Sequence, residues 1–171
     1  VIAVEDKDFY KHSGISPTSV LRAALADIQS REISQGGSTI TQQLIKNALL
    51  SSEQTFLRKY QEAILALEVD RRYSKDDILE MYMNTVYFGE GAFGIQDAAD
   101  AYFGKPASEL TLAESALLAG ILPAPSAFSP ISGDKEIAFT RQRRVLNQMA
   151  AQGYITIAEA NKAKEEEIVF N

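Results

Sequence analysis

Helix-start signals recur along this chain, and they constrain its fold more than any other feature. At four places a Ser or Thr directly before an expected helix is followed three residues later by an acidic or amide side chain, the spacing of a capping box at the N-terminus of a helix. No long stretch alternates apolar and polar residues as a half-buried strand would. The sequence therefore predicts an all-α fold. The four pairs are Thr39 with Gln42, Ser74 with Asp77, Thr111 with Glu114, and Thr156 with Glu159.

Between these signals the apolar spacing predicts where the helices run and which faces they bury. We expect helices over residues 17–31, from Thr39 onward, 55–73, 74–84, 95–103, 112–122, 134–152 and from Thr156 onward. Residues 123–130 contain three prolines and are expected to be extended or turning. Residues 168–170 could form a strand edge or begin a linker. Expected core residues are Val20, Leu21, Ala24, Leu25 and Ile28 in the first of these helices and Ile64, Leu65, Leu67 and Val69 in the third. For the first helix the alternative is a surface that contacts lipid.

Composition narrows the functional class. The 171 residues, 46% of them hydrophobic, suffice for one domain with a core, and the net charge of −6 argues against a nucleic-acid-binding surface. The chain has no cysteine, which excludes disulfides and thiolate metal sites but leaves the compartment open. No apolar run reaches the roughly 18 residues that span a bilayer. Because the chain starts without Met or a signal peptide, we interpret it as one domain excised from a longer protein.

The first twelve residues hold adjacent carboxylates, Glu5 and Asp6, and the single histidine, His12. If residues 6–12 form a helical turn and a half, Glu5, Phe9 and His12 share one face and Phe9 can shield the carboxylate from water. Desolvation raises the pKa of a carboxylate, which makes it a better general base near neutral pH. The alternative is the acidic first turn of a surface helix with a buried histidine.

Two further stretches carry polar side chains at helical spacing. After Gly36 and Gly37, Ser38 and Thr39 begin a helix on which Gln43 and Lys46 continue the polar stripe, and backbone amides at such a helix start attract anions. A solvated helix face explains this stripe equally well.

The second of these stretches holds Arg58, Lys59 and Glu62, which with Lys46 place three cations close in sequence to a carboxylate. As an exposed ion pair, Arg58 and Glu62 would contribute only a few tenths of a kcal/mol, so their spacing alone is weak grounds for a function.

Taken together and in order, these motifs closely resemble the peptidoglycan glycosyltransferases, glycosyltransferase family 51, found in class A penicillin-binding proteins and as monofunctional enzymes. The resemblance covers essentially the whole chain, and five ordered motifs are more specific than any one of them. The motifs are Glu5-Asp6-x-x-Phe9-x-x-His12-x-Gly14, Gly37-Ser38-Thr39-Ile40-Thr41-Gln42-Gln43, Arg58-Lys59-x-x-Glu62, Lys75-x-x-Ile78-Leu79-Glu80-x-Tyr82, and Arg141 with Val145 and Leu146.

The resemblance implies a lysozyme-like helical domain with a smaller membrane-facing lobe. It implies an inverting transferase that polymerises lipid II into glycan strands at the outer face of the bacterial cytoplasmic membrane and releases undecaprenyl pyrophosphate. No nucleotide sugar and no nucleic acid are expected, and a transpeptidase domain could follow in the parent protein. For membrane contact we expect Leu49, Leu50, Phe56 and Leu57, with a core role for some of them as an equal alternative.

Residue by residue, the resemblance makes Glu5 the general base and Glu62 the second catalytic carboxylate. Asp6 and His12 then hold Glu5 in place. Glu62 would position the cations or hold a Mg²⁺ that bridges to phosphate. By analogy with inverting glycosidases, the two carboxylates should lie roughly 6 to 10 Å apart or more. The positions expected to line the cleft and bind the donor pyrophosphate are Ser38, Thr39, Gln43, Lys46, Arg58 and Lys59.

Two positions depart from the family pattern: Met83 stands where leucine is more usual, and Gln54 where many members carry a basic residue near the phosphates.

Two other functions also remain open. A lysozyme-like hydrolase or lytic transglycosylase would need a catalytic glutamate but no pyrophosphate clamp. A helical scaffold module would need neither.

Overall fold

A computed structural model describes residues 1–18, 21, 25, 37–50, 53 and 55–171 of the chain. Within these residues the secondary structure is helical, with one isolated antiparallel bridge between Tyr87 and Phe93, so the predicted all-α class is confirmed. No described helix is both long and apolar enough to cross a membrane. The helices are α1 (Ile2–Glu5), α2 (Ile40–Leu49), α3 (Phe56–Arg72), α4 (Lys75–Thr85), α5 (Ile95–Phe103), a 3₁₀ turn (Ala107–Glu109), α6 (Leu112–Ile121), α7 (Pro125–Phe128), α8 (Lys135–Ala151) and α9 (Ile157–Glu165).

The chain forms two compact units. One contains Ile2 and Val4–Met83, and the other contains Val1, Ala3 and Asn84–Asn171. In the second unit α6 is buried along almost its whole length and packs on α8, as its apolar sequence predicts. Two residues of the fifth motif, Val145 and Leu146, are buried in this unit.

All four predicted capping boxes form, with the hydroxyl of each first residue accepting from the backbone N–H three residues later. Each pair satisfies two N–H groups that the first turn of a helix would otherwise leave unbonded. The helix boundaries therefore lie within two residues of those expected.

Two expectations are wrong, and for residues 168–170 the strand, one of two alternatives, is not observed. Residues 6–12 form turns that follow the short helix α1 and not a continuous helix, with Phe9 N–H donating to Asp6 O and His12 N–H to Asp8 O. Pro125 occupies the first position of the short helix α7, where its missing N–H is not needed, so the proline-rich segment is not wholly extended. The end of the chain forms no strand. Instead, the Phe170 ring packs on Phe103.

The expected core of α3 is wrong for Ile64 and Leu67, whereas Leu65 and Val69 are partly buried. Ile64 and Leu67 are exposed, whereas the buried residues are Arg58, Glu62 and Ala66, spaced four apart on one face. An amphipathic helix normally buries its apolar face, so α3 is inverted relative to the usual pattern.

The predicted helix 17–31 lies largely outside the described residues, as do Gly36 and the departure at Gln54. Of this helix the structure describes Pro17, Thr18, Leu21 and Leu25, all helical. Leu21 and Leu25 are exposed, so the prediction that these two belong to the core is wrong.

Gly14 sets how closely its loop approaches α3. Its φ is +94°, and a β-carbon at this position would lie 2.4 Å from the carbonyl oxygen of Ala66. Backbone atoms within a helix cannot yield as the end of a flexible side chain can. The position therefore requires glycine for its dihedral angle and for its lack of a side chain.

We expect Gly14→Ala to lower the free energy of unfolding by about 1–3 kcal/mol more than Gly91→Ala, because of the added clash. Gly91 is the matched control, since its φ is +73° but a β-carbon there would meet nothing within 4 Å. Chemical denaturation measures both values. Equal losses would show that the contact with Ala66 is not a constraint.

Candidate active site

Glu5 is the last residue of α1 and is partly exposed. Gln43 on α2 donates from Nε2 to Glu5 Oε2 at 3.2 Å, and its Oε1 accepts from the Tyr82 hydroxyl at 3.1 Å. Because the tyrosine donates to the amide oxygen, the amide nitrogen must face the carboxylate. Gln43 is thus oriented from both sides and holds Glu5 in one place.

Tyr82, on α4, is buried, and the charge of Glu5 affects its pKa. Burial, and secondly the negative charge of Glu5, raise the pKa of the Tyr82 phenol well above its ordinary value. The hydroxyl therefore keeps its proton and remains a donor to Gln43 at any physiological pH. The sequence motifs included Tyr82, but its side-chain role was not predicted.

Asp6 is buried directly after α1 and fixes the start of α2. Its Oδ2 accepts from His12 Nε2 at 2.6 Å and from the backbone N–H of Ile40 at 3.0 Å. Ile40 is the first residue of α2, where an N–H has no partner within the helix and a negative charge is favourable. Asp6 and His12 therefore contact the start of the helix that carries Gln43.

A second cluster forms where α3 meets the residue that precedes the cap of α2. Lys59 Nζ donates to Ser38 Oγ at 2.7 Å and to Glu62 Oε1 at 2.8 Å, while Arg58 Nη2 lies 3.7 Å from Glu62 Oε2. The structure thus brings Ser38, Arg58, Lys59 and Glu62 together, as expected. Lys46, in the last turn of α2, is partly exposed and has no hydrogen bond or ion pair with another described residue.

This cluster is buried and incompletely bonded. Arg58 is 7% exposed and Glu62 is 0% exposed, yet Arg58 Nε, Arg58 Nη1 and Glu62 Oε2 have no hydrogen-bond partner among the described residues. Buried charged groups without partners are costly, and they concentrate at functional sites. Two cations beside one carboxylate leave a net positive charge, which suits an anionic ligand.

The described residues alone do not complete a metal site, and a Mg²⁺ beside Glu62 would take its other ligands from substrate phosphates. No group of three or more His, Asp or Glu side chains in the described chain could hold one, and the Glu62 carboxylate already has cationic partners. Hard divalent ions prefer several oxygen ligands. None of the roles proposed for Arg58, Lys59 and Glu62 therefore depends on a metal ion.

Comparison with known proteins decides the family. A family model described as transglycosylase matches residues 1–150. The chain belongs to the transglycosylase family. This confirms the resemblance that the motifs predicted.

Relatives of this transglycosylase are much longer proteins. Penicillin-binding protein 1A of Neisseria gonorrhoeae is 47% identical over 170 residues, which cover 99% of this chain and 21% of that protein. Penicillin-binding protein 1F of Bacillus subtilis is 50% identical over 166 residues, covering 95% of this chain and 23% of that protein. The crystal structure of penicillin-binding protein 1A from Haemophilus influenzae matches with a TM-score of 0.55 and 28% identity, over 86% of this chain and 17% of that one.

We expect Glu62→Gln to lower the free energy of unfolding by about 3–5 kcal/mol, because it leaves the buried Arg58 guanidinium without a countercharge. Glu68→Gln, six residues further along α3, is the matched control. Glu68 pairs with Arg71 and Arg72 at the surface, where an ion pair contributes about 0–1 kcal/mol. Thermal and urea unfolding of both variants give the comparison, and an equally small loss in both would contradict a stabilising role for Glu62.

Proposed function

We propose that this transglycosylase polymerises lipid II into glycan strands and releases undecaprenyl pyrophosphate, as an inverting peptidoglycan glycosyltransferase. The observation that carries the proposal is the pairing of two unlike sites in one unit. One is a positioned, partly exposed carboxylate, and the other is a buried cluster with excess positive charge. The relatives named penicillin-binding proteins support the choice of a cell-wall substrate.

Glu5 acts on the acceptor. The attacking group is a sugar 4-hydroxyl, a poor nucleophile until a base takes its proton, and such a base contributes about 10² to 10⁴ in rate. Gln43 Nε2 donates to Glu5 Oε2 at 3.2 Å, and the partial exposure of the Glu5 side chain lets an acceptor approach. As the hydroxyl attacks the anomeric carbon, its proton passes to Glu5 and the anomeric centre inverts.

Arg58 and Lys59 act on the leaving group. A lipid pyrophosphate gains negative charge as the bond from the anomeric carbon to its oxygen breaks, so fixed cations near it lower the barrier. Glu62 holds Lys59 at 2.8 Å and aligns both cations, while Ser38 fixes the same ammonium from the other side. Lys46 extends this charge along α2. A divalent ion beside Glu62 stays a prediction, as does the separation of Glu5 from Glu62.

We propose that the parent protein lies at a membrane, because the proposed substrate is a lipid. The chain spans about a fifth of the length of these relatives, so a following transpeptidase domain and a membrane anchor belong to this proposal. On this reading the domain works at the extracytoplasmic face of the bacterial cytoplasmic membrane.

Polymerisation of lipid II by the purified domain in detergent tests the central claim. We expect the native protein to yield polymer and Glu5→Gln to yield roughly 10²-fold less or none, because the amide cannot accept the proton. Glu167→Gln, at an exposed position outside the five motifs, should polymerise like the native protein. Native turnover in Glu5→Gln would refute the base assignment. Cleavage of preformed glycan without polymer formation would instead favour the hydrolase alternative.

The apolar side chains exposed on α2 and α3 give this unit a surface suited to lipid. Leu57, Tyr60, Ile64 and Leu67 recur at helical spacing on one face of α3, and Phe56 beside them is 78% exposed. Of the four residues predicted to contact the membrane, Leu49, Phe56 and Leu57 are exposed and Leu50 is partly so. We propose that this face rests on the bilayer while the site takes up its substrate.

We expect the double variant Phe56→Ser with Leu57→Ser to bind phospholipid vesicles at least tenfold more weakly, since burying each such side chain in an apolar phase contributes about 1.5–3 kcal/mol. Co-sedimentation measures the binding. Tyr154→Ser with Ile157→Ser, in the second unit, removes exposed apolar residues of similar size and should bind like the native protein. Equal loss in both would mean that binding is not specific to α3.

A further inference from the structure

His12 is held in one defined protonation state by its neighbours. The backbone N–H of Gly14 donates to His12 Nδ1 at 3.1 Å, so this nitrogen carries a lone pair and no proton. The proton is therefore on Nε2, which donates to Asp6 at 2.6 Å. On these contacts the two ring nitrogens take opposite roles, Nδ1 as acceptor and Nε2 as donor, which is the arrangement of a neutral imidazole.

Lys75, the first residue of α4, faces the same nitrogen. Its Nζ lies 3.2 Å from His12 Nδ1, and an ammonium can only donate there. Asp70 fixes Nζ at 2.5 Å, and the Phe9 ring lies beneath it at 4.8 Å from the ring centroid. The ammonium is mostly shielded, with 18% of its side chain exposed, and it repels a second proton at Nδ1.

The neutral ring connects two loops to the start of α2. Asp6 receives the ring proton and caps Ile40 N–H. Gly14, which bonds to the other ring nitrogen, accepts from Thr39 Oγ1 at 2.6 Å through its carbonyl. A ring protonated at Nδ1 could no longer accept from Gly14, so one of these two connections would be lost.

We propose that Lys75 is a positioning residue that holds His12 in the neutral, Nε2-protonated form and thereby fixes the N-terminus of α2, which carries Gln43 against Glu5. Without the ammonium, Asp6 and Asp70 are left as two carboxylates around the imidazole, and both favour an imidazolium. The claim that Lys75 sets the state of His12 depends only on the contacts between these residues. The effect on turnover rests on the proposed function.

Nitrogen-15 NMR of the imidazole tests directly whether Lys75 sets the state of His12, because the chain has one histidine and needs no assignment when it carries no histidine tag. At neutral pH we expect the native protein to show a proton on Nε2 alone. Lys75→Met, which keeps the length of the side chain but removes the charge, should show an imidazolium or a mixture of tautomers. Lys75→Arg, which restores a cation, should return the native pattern.

Polymerisation of lipid II by the same proteins tests the effect of Lys75 on turnover. We expect kcat of Lys75→Met to fall roughly ten- to a hundredfold with KM little changed, since a displacement of about 1 Å at the base costs that much. Lys75→Arg should recover most of the rate. Lys105→Met is the matched control, because Lys105 forms an ion pair of similar burial with Glu114 in the other unit, and its rate should be native.

Three results would overturn the proposal: a native protein with a proton on Nδ1, an unchanged imidazole in folded Lys75→Met, or an altered imidazole with native kcat. If Lys75→Met lacks native helicity by circular dichroism, Lys75→Gln replaces it in every comparison. A native protein that makes no polymer would refute the proposed function, while the NMR comparison would still decide whether Lys75 sets the state of His12.

Discussion

The Asp6 carboxylate at the N-terminus of α2 is the interaction on which the site depends. One oxygen, Oδ2, accepts both from the His12 ring and from Ile40 N–H. This bond replaces the water that a helix start would otherwise need, and it places a negative charge where the helix dipole favours it. Because α2 is fixed there, Gln43 one turn later is fixed too, and through it Glu5. A short helix with a single strong anchor at its start can thus hold a base that lies in another segment of the chain.

α3 shows the opposite arrangement of polar and apolar faces from that of an ordinary surface helix. It buries Arg58 and Glu62 and exposes Leu57, Ile64 and Leu67. Burying charged groups with unfilled hydrogen-bonding capacity costs stability, and an exposed apolar face adds no compensating burial within this unit. Both costs are reasonable if the buried face meets an anionic headgroup and the exposed face meets the hydrocarbon of the same lipid substrate and its membrane. One helix then recognises both ends of an amphipathic molecule.

Sequence patterns predicted the features that depend on neighbouring residues in the chain, such as the capping boxes. The capping boxes at Thr39 and Thr111 are complete within four residues, so they can be recognised without knowledge of the fold. The burial of α3 could not be predicted in this way, because its apolar residues follow the spacing of a core helix. The contact between Lys75 and His12 joins residues 63 positions apart, and Asp70 belongs to no recognised motif. Motif order supplied the members of the site, but only the tertiary structure shows which side chains bond to which.

The two glutamates have different surroundings, and these separate their roles. Glu5 is partly exposed and is bonded through an amide that carries no charge, so it can receive a proton from a group that arrives from solvent. Glu62 is fully buried, and each of its oxygens faces a cation, at 2.8 and 3.7 Å. A group so enclosed cannot reach an acceptor hydroxyl without the rearrangement of Arg58 and Lys59. These surroundings favour the proposed division, in which Glu5 receives the proton and Glu62 acts through the two cations beside it.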